Sequence, residues 1–260
     1  MALSLLQAVL ALISGSLVGF SLGLVGGGGS ILAVPLLVYV VGVSDPHMAI
    51  GTSAVAVAAN AAGNLVSHHR ARNVVWRCAL IFAAAGVAGA FAGSTLGKMV
   101  DGQKLLAAFA VLMMVVAGLM LRKRASAGVK VEHVSRHMAL RLVAIGLGTG
   151  ALSGFFGIGG GFLIVPGLML ATGMPILNAV GSSLVAVTSF GATTAANYAA
   201  SGSVDWQIAA LFICGGIGGG YAGSRAAHAL AGRKGSLNIV FAVLILAVAA
   251  YMLVRSLHLA

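Results

Sequence analysis

The sequence predicts an all-α integral membrane protein made of two homologous repeats of short, glycine-interrupted helices that are inverted relative to each other. The chain has 260 residues, of which 60% are hydrophobic and only 7% are charged, a composition outside the range of soluble domains. Several apolar runs approach or exceed the ~20 residues needed to cross a bilayer. A glycine-rich segment also occurs twice, once in each half of the chain. These features indicate about 8 to 10 membrane segments.

The first repeat covers residues 1–121 and begins with an apolar run over residues 2–25. This run lacks a basic flank and its pattern recurs in the second half, so we expect a retained helix and not a cleaved signal. Residues 30–43 would extend about 21 Å as a helix, which predicts either a short crossing or a re-entrant piece. The remaining segments of this repeat are residues 47–67, 77–97 and 105–121. A basic linker (122–141) precedes the second repeat (142–260), which ends in an apolar segment over residues 237–254.

The duplicated glycine-rich segment reads GLVGGGGSILAVPLL from Gly23 and GFFGIGGGFLIVPGL from Gly154. Six glycines and one proline of the first repeat recur in the second in the register that aligns Gly23 with Gly154. Glycine costs a helix about 1 kcal/mol relative to alanine, so this clustering predicts a break in each half. A helix that starts after such a break presents free N–H groups and a partial positive charge. Paired breaks in two halves therefore predict an anion site in a transporter.

The distribution of basic residues predicts the orientation of the chain. If every apolar segment crosses and the linker is cytoplasmic, the inverted arrangement places 12 Lys and Arg residues inside and 3 outside. If one piece of each half is re-entrant, the halves are parallel and the split becomes 10 to 5. Because cytoplasmic loops are enriched in basic residues, the inverted arrangement with both termini outside is favoured.

Small residues spaced by four mark one face on each of two equivalent helices. They are Ala85, Gly89, Gly93 and Gly97 in the first repeat and Gly215, Gly219, Gly223 and Ala227 in the second. Such faces allow close helix packing in membranes. We expect them to pack either within the protomer or across a homodimer.

The polar residues predict an anion pathway and argue against a cation pathway. All four acidic residues lie in loops or at their edges, whereas buried carboxylates mark proton and cation routes. Hydroxyl and amide groups instead follow one face of the helix predicted over residues 47–67 and of its counterpart in the second repeat. These neutral donors can hydrogen-bond an oxyanion. Interhelical hydrogen bonding is the alternative role. The predicted substrate-binding residues are Gly28, Gly29, Ser30, Thr52, Ser53, Asn60, Asn64, Gly159, Gly160, Gly161, Ser182, Ser183, Thr193 and Asn197.

Other functional classes find little support in the sequence. No residue spacing resembles a metal site, and the GGGG run lacks the GK[ST] ending of a nucleotide-binding loop. Cys78 and Cys214 do not align between the repeats, which disfavours a thiol relay. The net charge of +11 has no soluble basic module to carry it, so nucleic-acid binding is not expected. We therefore expect no enzymatic activity, no cofactor and no metal.

The duplicated break with its downstream proline resembles the TauE/SafE family, and the resemblance covers nearly the whole chain. Gly51-Thr52-Ser53, Gly181-Ser182-Ser183 and the loop from Gly202 to Trp206 carry it further. It implies a multi-pass bacterial inner-membrane exporter of a small anion such as sulfite, sulfoacetate or a related organosulfonate or carboxylate. Transport would use alternating access of the two repeats. The alternative is a membrane-embedded thiol or redox relay protein of sulfur metabolism.

Overall fold

The computed structural model describes residues 4–122, 134–157, 159, 161–229 and 249, and these residues form helices and no strand. The prediction of an all-α fold is confirmed. The first half contains α1 (Leu5–Val25), α2 (Ala33–Leu36), α3 (Pro46–Arg70), α4 (Trp76–Lys98) and α5 (Gly102–Arg122). The second contains α6 (Arg136–Phe156), α7 (Gly161–Thr172), α8 (Ile176–Ala199) and α9 (Trp206–Ala229). Five of these helices are long and apolar enough to cross a membrane: α1, α3, α4, α6 and α8. The segment expected over residues 237–254 lies outside the described residues except for Ala249.

The two glycine breaks have different local structures. In the first, Gly26 (φ 71°) ends α1, and the chain continues as a 3-10 helix over Gly26–Leu32. The short α2 and a π-helical turn over Leu37–Val41 follow, and left-handed Gly42 stops them. In the second break, Gly157 (φ 68°) and Gly159 (φ 64°) are left-handed, and α7 begins at Gly161. Glycine adopts such conformations at low cost, which explains its concentration at both bends.

Helix α6 begins at Arg136, six residues before the start that the apolar pattern indicates. The hydroxyl of Ser135 accepts a hydrogen bond of 3.2 Å from the amide of Met138, one of the free donors of the first turn. The cap extends the helix into the basic segment that the sequence assigned to the linker. The charged residues Arg136 and Arg141 therefore belong to a helix.

The scaffold consists of two pairs of parallel helices, α1 with α9 and α4 with α6. A Cβ atom built on Gly19 would lie 2.6 Å from Cα of Gly216, and one built on Gly150 would lie 2.7 Å from Cα of Gly86. Real Cβ atoms do not approach this closely, so only glycine allows these backbones to touch. The predicted small-residue faces on α4 and α9 are confirmed as packing faces, and they pack within one protomer. Each pair takes one helix from each half.

Helices α3 and α8 lie between the two pairs and run antiparallel. Tyr198, near the end of α8, packs on Gly51 near the start of α3, and Gly181 at the start of α8 packs on Asn73 just beyond the end of α3. Gly191 contacts Ala58 midway along both helices. These helices occupy equivalent positions in the two repeats, and inverted repeats require an antiparallel relation of this kind. The orientation of the chain in a membrane stays a prediction.

The backbone contact between α6 and α4 predicts opposite effects for two neighbouring glycines. Gly150→Ala should destabilise the protein by about 1–3 kcal/mol, because the methyl group overlaps the backbone of Gly86. Gly148→Ala should be neutral or stabilising, because nothing lies within 4 Å of its Cβ and alanine favours helix. Thermal unfolding of both purified variants in one detergent measures the difference. Equal melting temperatures would contradict the proposed packing.

Candidate functional site

The two glycine breaks meet between α3 and α8. A Cβ built on Gly27 would lie 2.6 Å from Cα of Gly161, so the first break touches the second at the first residue of α7. Gly26 packs on Val180 of α8, and Gly157 packs on Ile50 of α3, which are equivalent positions in the repeats. Each break thus inserts against the middle helix of the other half. We call this meeting point the glycine crossing.

The Gly-Thr-Ser and Gly-Ser-Ser motifs hold a loop of the opposite half. The hydroxyl of Thr52 accepts a 2.9 Å hydrogen bond from the amide of Asp205, in the loop between α8 and α9. The hydroxyl of Ser182 accepts one of the same length from the amide of Val75, in the loop between α3 and α4. The glycine that precedes each hydroxyl packs on the backbone of the same loop. Thr52 and Ser182 therefore each hydrogen-bond a loop of the other half, at opposite ends of the bundle.

The last serine of each motif contacts the glycine break of the opposite half. Ser183 accepts a 3.3 Å hydrogen bond from the amide of Gly27 and donates one of 2.7 Å to the carbonyl of Val180. Ser53 donates to the carbonyl of Ile50 at 2.8 Å and lies 3.4 Å from the carbonyl of Gly157. Both serines are fully buried. They connect the middle helices directly to the glycine crossing.

Apolar side chains complete the walls of the glycine crossing. A Cβ built on Gly159 would lie 2.9 Å from Val57 and 3.3 Å from Val187.

Ser30 donates its hydroxyl to the carbonyl of Gly27 at 2.9 Å, and Gly29 packs on the end of α1. Gly28 lies within the 3-10 turn, and Gly160 lies outside the described residues.

Asn60 and Asn64 face the scaffold pair formed by α1 and α9. The Asn64 amide donates to the carbonyl of Asn60 at 2.9 Å and packs between Gly23 and Gly220. Asn60 is 1% exposed and packs on Gly216, and both polar atoms of its side chain have no partner among the described residues. A buried amide without partners costs about 1–3 kcal/mol, so a purely structural role leaves its presence unexplained.

The remaining predicted residues of α8 lie apart from the crossing. The Thr193 hydroxyl donates to the carbonyl of Ser189 in its own helix at 2.8 Å. The Asn197 amide donates to the hydroxyls of Ser94 and Thr95 at 2.7 and 3.0 Å. Its side-chain oxygen accepts from the ammonium of Lys98 at 2.8 Å. Asn197 therefore ties the end of α8 to the end of α4.

The two ends of the bundle differ in charge. We call the end where α3 finishes and α6 begins the linker end, and the other the opposite end. The described carboxylates lie at the opposite end, where Asp45, Asp101 and Asp205 each accept backbone amides of a first helical turn at 2.8–3.2 Å. Lys98 and Lys104 lie at that end as well. The linker end carries the described arginines, which are Arg70, Arg72, Arg77, Arg122, Arg136, Arg141 and Arg225.

The cysteines and histidines form no reactive cluster in the part of the chain that the structure describes. Cys78 is buried at the start of α4, and Cys214 is exposed on α9. No group of three His, Cys, Asp or Glu residues there has the arrangement of a metal site. The thiol-relay alternative thus gains no geometric support.

Several residues at the crossing do not appear among the predicted site residues. They are Gly27, Gly157, Val57 and Val187. Farther along α8, the buried hydroxyls of Thr194 and Tyr198 lack partners among the described residues. The repeat itself carries a signal for the two valines, since each stands one helical turn after the last serine of its Gly-Thr-Ser or Gly-Ser-Ser motif. Val57 and Val187 are apolar, so a search for polar residues does not select them.

Comparison with known proteins assigns a family to the chain. The profile described as sulfite exporter TauE/SafE matches residues 11–252. A protein of Xylella fastidiosa (strain 9a5c) named "Probable membrane transporter protein" is 55% identical over 248 residues, 94% of each chain. "Probable membrane transporter protein YdhB" of Bacillus subtilis is 27% identical over 215 residues, 80% of this chain and 86% of its own. No solved structure matches.

The contacts of Asn197 predict a structural role that Thr193, one turn earlier, does not share. Asn197→Ala should lower stability by about 1–3 kcal/mol, because three hydrogen bonds are lost and one of them involves a charged group. Thr193→Ala should change stability by about 0.5 kcal/mol or less, because its hydroxyl bonds only within its own helix. Unfolding of the two variants is compared by thermal scanning. A smaller effect for Asn197→Ala than for Thr193→Ala would contradict this assignment.

Proposed function

This chain belongs to the sulfite exporter TauE/SafE family of multi-pass membrane transporters, and we propose that it exports a small oxyanion such as sulfite, sulfoacetate or a related organosulfonate or carboxylate. The family assigns membrane transport and not enzymatic catalysis. The substrate, the direction and the site are proposed from the arrangement of the described residues.

The glycine crossing is the observation that carries the proposal. Two interrupted segments from equivalent positions meet between the antiparallel middle helices, with Ser53 and Ser183 beside them. Irregular backbone at membrane depth is tolerated where it is buried in protein or lines a cavity, and transporters use it to bind substrates. Amides of glycine can approach an oxyanion closely because no side chain intervenes. We place the substrate site at this crossing.

The charge difference between the two ends supports an exporter of anions. Basic residues concentrate at cytoplasmic surfaces, so the arginine-rich linker end is assigned to the cytoplasm. Positive potential at that mouth would concentrate anions from the cytoplasm. The carboxylates at the opposite end would disfavour return of the anion after release.

An asymmetry between the repeats supplies a basis for selectivity. Asn60 and Asn64 correspond to Phe190 and Thr194 when the Gly-Thr-Ser and Gly-Ser-Ser motifs are aligned. Asn60 packs on Gly216 of α9, whereas Phe190 packs on the equivalent Gly86 of α4. One side thus offers an unpaired amide, and the other offers an aromatic ring stacked at 6.2 Å on Phe82. Because Asn60 and Phe190 face different scaffold pairs, they make the two sides of the bundle chemically unequal.

The helix pairs suggest which parts move during alternating access. We infer that the sequence repeats do not rock as two rigid halves, because α1 packs on α9 and α4 on α6 through backbone contacts. Midway along the α3–α8 interface, a Cβ built on Gly191 would lie 3.1–3.3 Å from Ala58 and Ala54, a looser approach than in the scaffold pairs. We place the movement at this smoother interface, with each scaffold pair moving as a unit.

Transport by purified protein in proteoliposomes tests the proposal. Labelled sulfite, sulfoacetate and acetate are supplied separately, and at least one should move saturably. Asn60→Leu should raise KM or slow transport by about tenfold or less, the loss of one hydrogen bond. Its stability should be unchanged or higher, because an unpaired buried amide is removed.

The double variant Cys78→Ala, Cys214→Ala serves as the control and should transport normally, because the two thiols lie on separate helices. Failure of every anion on this panel to move, with wild-type protein that unfolds cooperatively, would reject the proposed substrate class. Normal transport by Asn60→Leu would remove Asn60 from the site.

A disulfide across the middle helices tests the proposed movement. In the cysteine-free background, Ala58→Cys and Gly191→Cys place two Cβ atoms about 3.1 Å apart, slightly below the usual disulfide range. Oxidation should stop transport and reduction should restore it, while each single variant stays active under both conditions. Full transport with the disulfide formed would show that α3 and α8 do not move past each other.

A further inference from the structure

A cavity of about 390 Å³ lies at the linker end, outside the glycine crossing. It opens between the first two turns of α6 and the last turn of α7. Its polar lining includes His137, Arg141 and the hydroxyl-bearing Ser135 and Thr172, and no carboxylate of the described chain lines it. The remaining lining residues are Met138, Met169, Leu170, Ala171 and Gly173. The cavity therefore combines one arginine and one histidine with an apolar floor.

The position of the cavity along α6 matches the boundary between headgroups and hydrocarbon. Arg136, His137 and Arg141 are exposed in the first two turns. The exposed residues that follow are apolar, with Val143 42% and Leu147 48% exposed. Arg141 and Leu147 are separated by about 9 Å along the helix. This change from basic to apolar surface is typical of a helix end at the membrane interface.

We propose that this cavity binds the headgroup of an anionic phospholipid. Arg141 and His137 lie one helical turn apart and can both donate to one phosphate group. The apolar floor would contact the glycerol and first acyl carbons, and Leu170, 62% exposed, opens the cavity to the bilayer. A free oxyanion would gain nothing from that apolar floor. Basic pockets between helices at the cytoplasmic side bind lipid headgroups in this manner.

The bound lipid would join two elements that lead to the glycine crossing. Helix α6 packs on α4 through Gly146 and Gly150, and α7 starts at Gly161 against Gly27. A headgroup that bridges the start of α6 and the end of α7 therefore stabilises this helical hairpin. The proposed lipid site does not depend on which substrate the protein transports, and its test requires no transport measurement.

The test uses the purified full chain in detergent and short-chain dioctanoyl lipids. Phosphatidylglycerol should raise the melting temperature saturably, and phosphatidylcholine should do so much less. Arg141→Gln should weaken the phosphatidylglycerol response by about fivefold or more, the effect expected for one basic residue. Arg141→Lys should retain most of it. Arg136→Gln is the matched control, because it removes the same charge from the same helix without lining the cavity.

Three results would overturn the proposal. Equal weakening by Arg136→Gln and Arg141→Gln would indicate diffuse surface charge. An equal response to phosphatidylcholine would indicate acyl-chain binding alone, and stabilisation by glycerol 3-phosphate at the same concentration would indicate a free-anion site. His137→Gln, measured in the same way, provides a second variant if Arg141→Gln does not unfold cooperatively.

Discussion

Direct contact between helix backbones, made possible by glycine, is the constraint on which the rest of this structure depends. Gly19 meets Gly216, and Gly150 meets Gly86, so that each half of the chain supplies one helix to each scaffold pair. Apolar side chains give little drive for helix association in a bilayer, because lipid is as apolar as the side chains themselves. Close packing over these small-residue faces supplies the attraction instead. The exchange of helices between halves then fixes where the middle helices and the breaks must lie.

Within that scaffold, the repeated motifs act across the boundary between the halves. In each Gly-Thr/Ser-Ser motif the glycine packs on a loop, the next hydroxyl accepts a loop amide and the last serine contacts a glycine break. All three partners belong to the other repeat. Each half therefore depends on the other to complete its loops and its break. The substrate site proposed at the crossing is a product of this mutual dependence.

The symmetry between the repeats is incomplete in side chains that face the scaffold pairs and in the charge of the two ends. Asn60 is unpaired on one side, and its equivalent, Phe190, is stacked on Phe82 on the other. The cavity at the linker end likewise has no counterpart with arginine or histidine in the first repeat, where Leu6 and Leu10 stand at the positions equivalent to His137 and Arg141. In the proposed mechanism, a symmetric scaffold with asymmetric side chains moves between two states while its two ends stay chemically distinct. The arginine-rich linker end and the carboxylates at the opposite end follow the same pattern.

The sequence by itself determined the features that depend on composition and repetition. Hydrophobicity indicated a membrane protein, the constant register between the repeats located both breaks, and spacing by four identified the packing faces of α4 and α9. The partners of these features were decided only by the tertiary structure. Thr52 and Asn197 are polar residues on regular helices. Nothing in their spacing distinguishes a residue that hydrogen-bonds a loop or a neighbouring helix from one that binds substrate. Val57 and Val187 reach the crossing only because α3 and α8 are antiparallel and the breaks exchange between halves. Local pattern encodes which face of a helix is polar or small, whereas long-range packing decides what that face contacts.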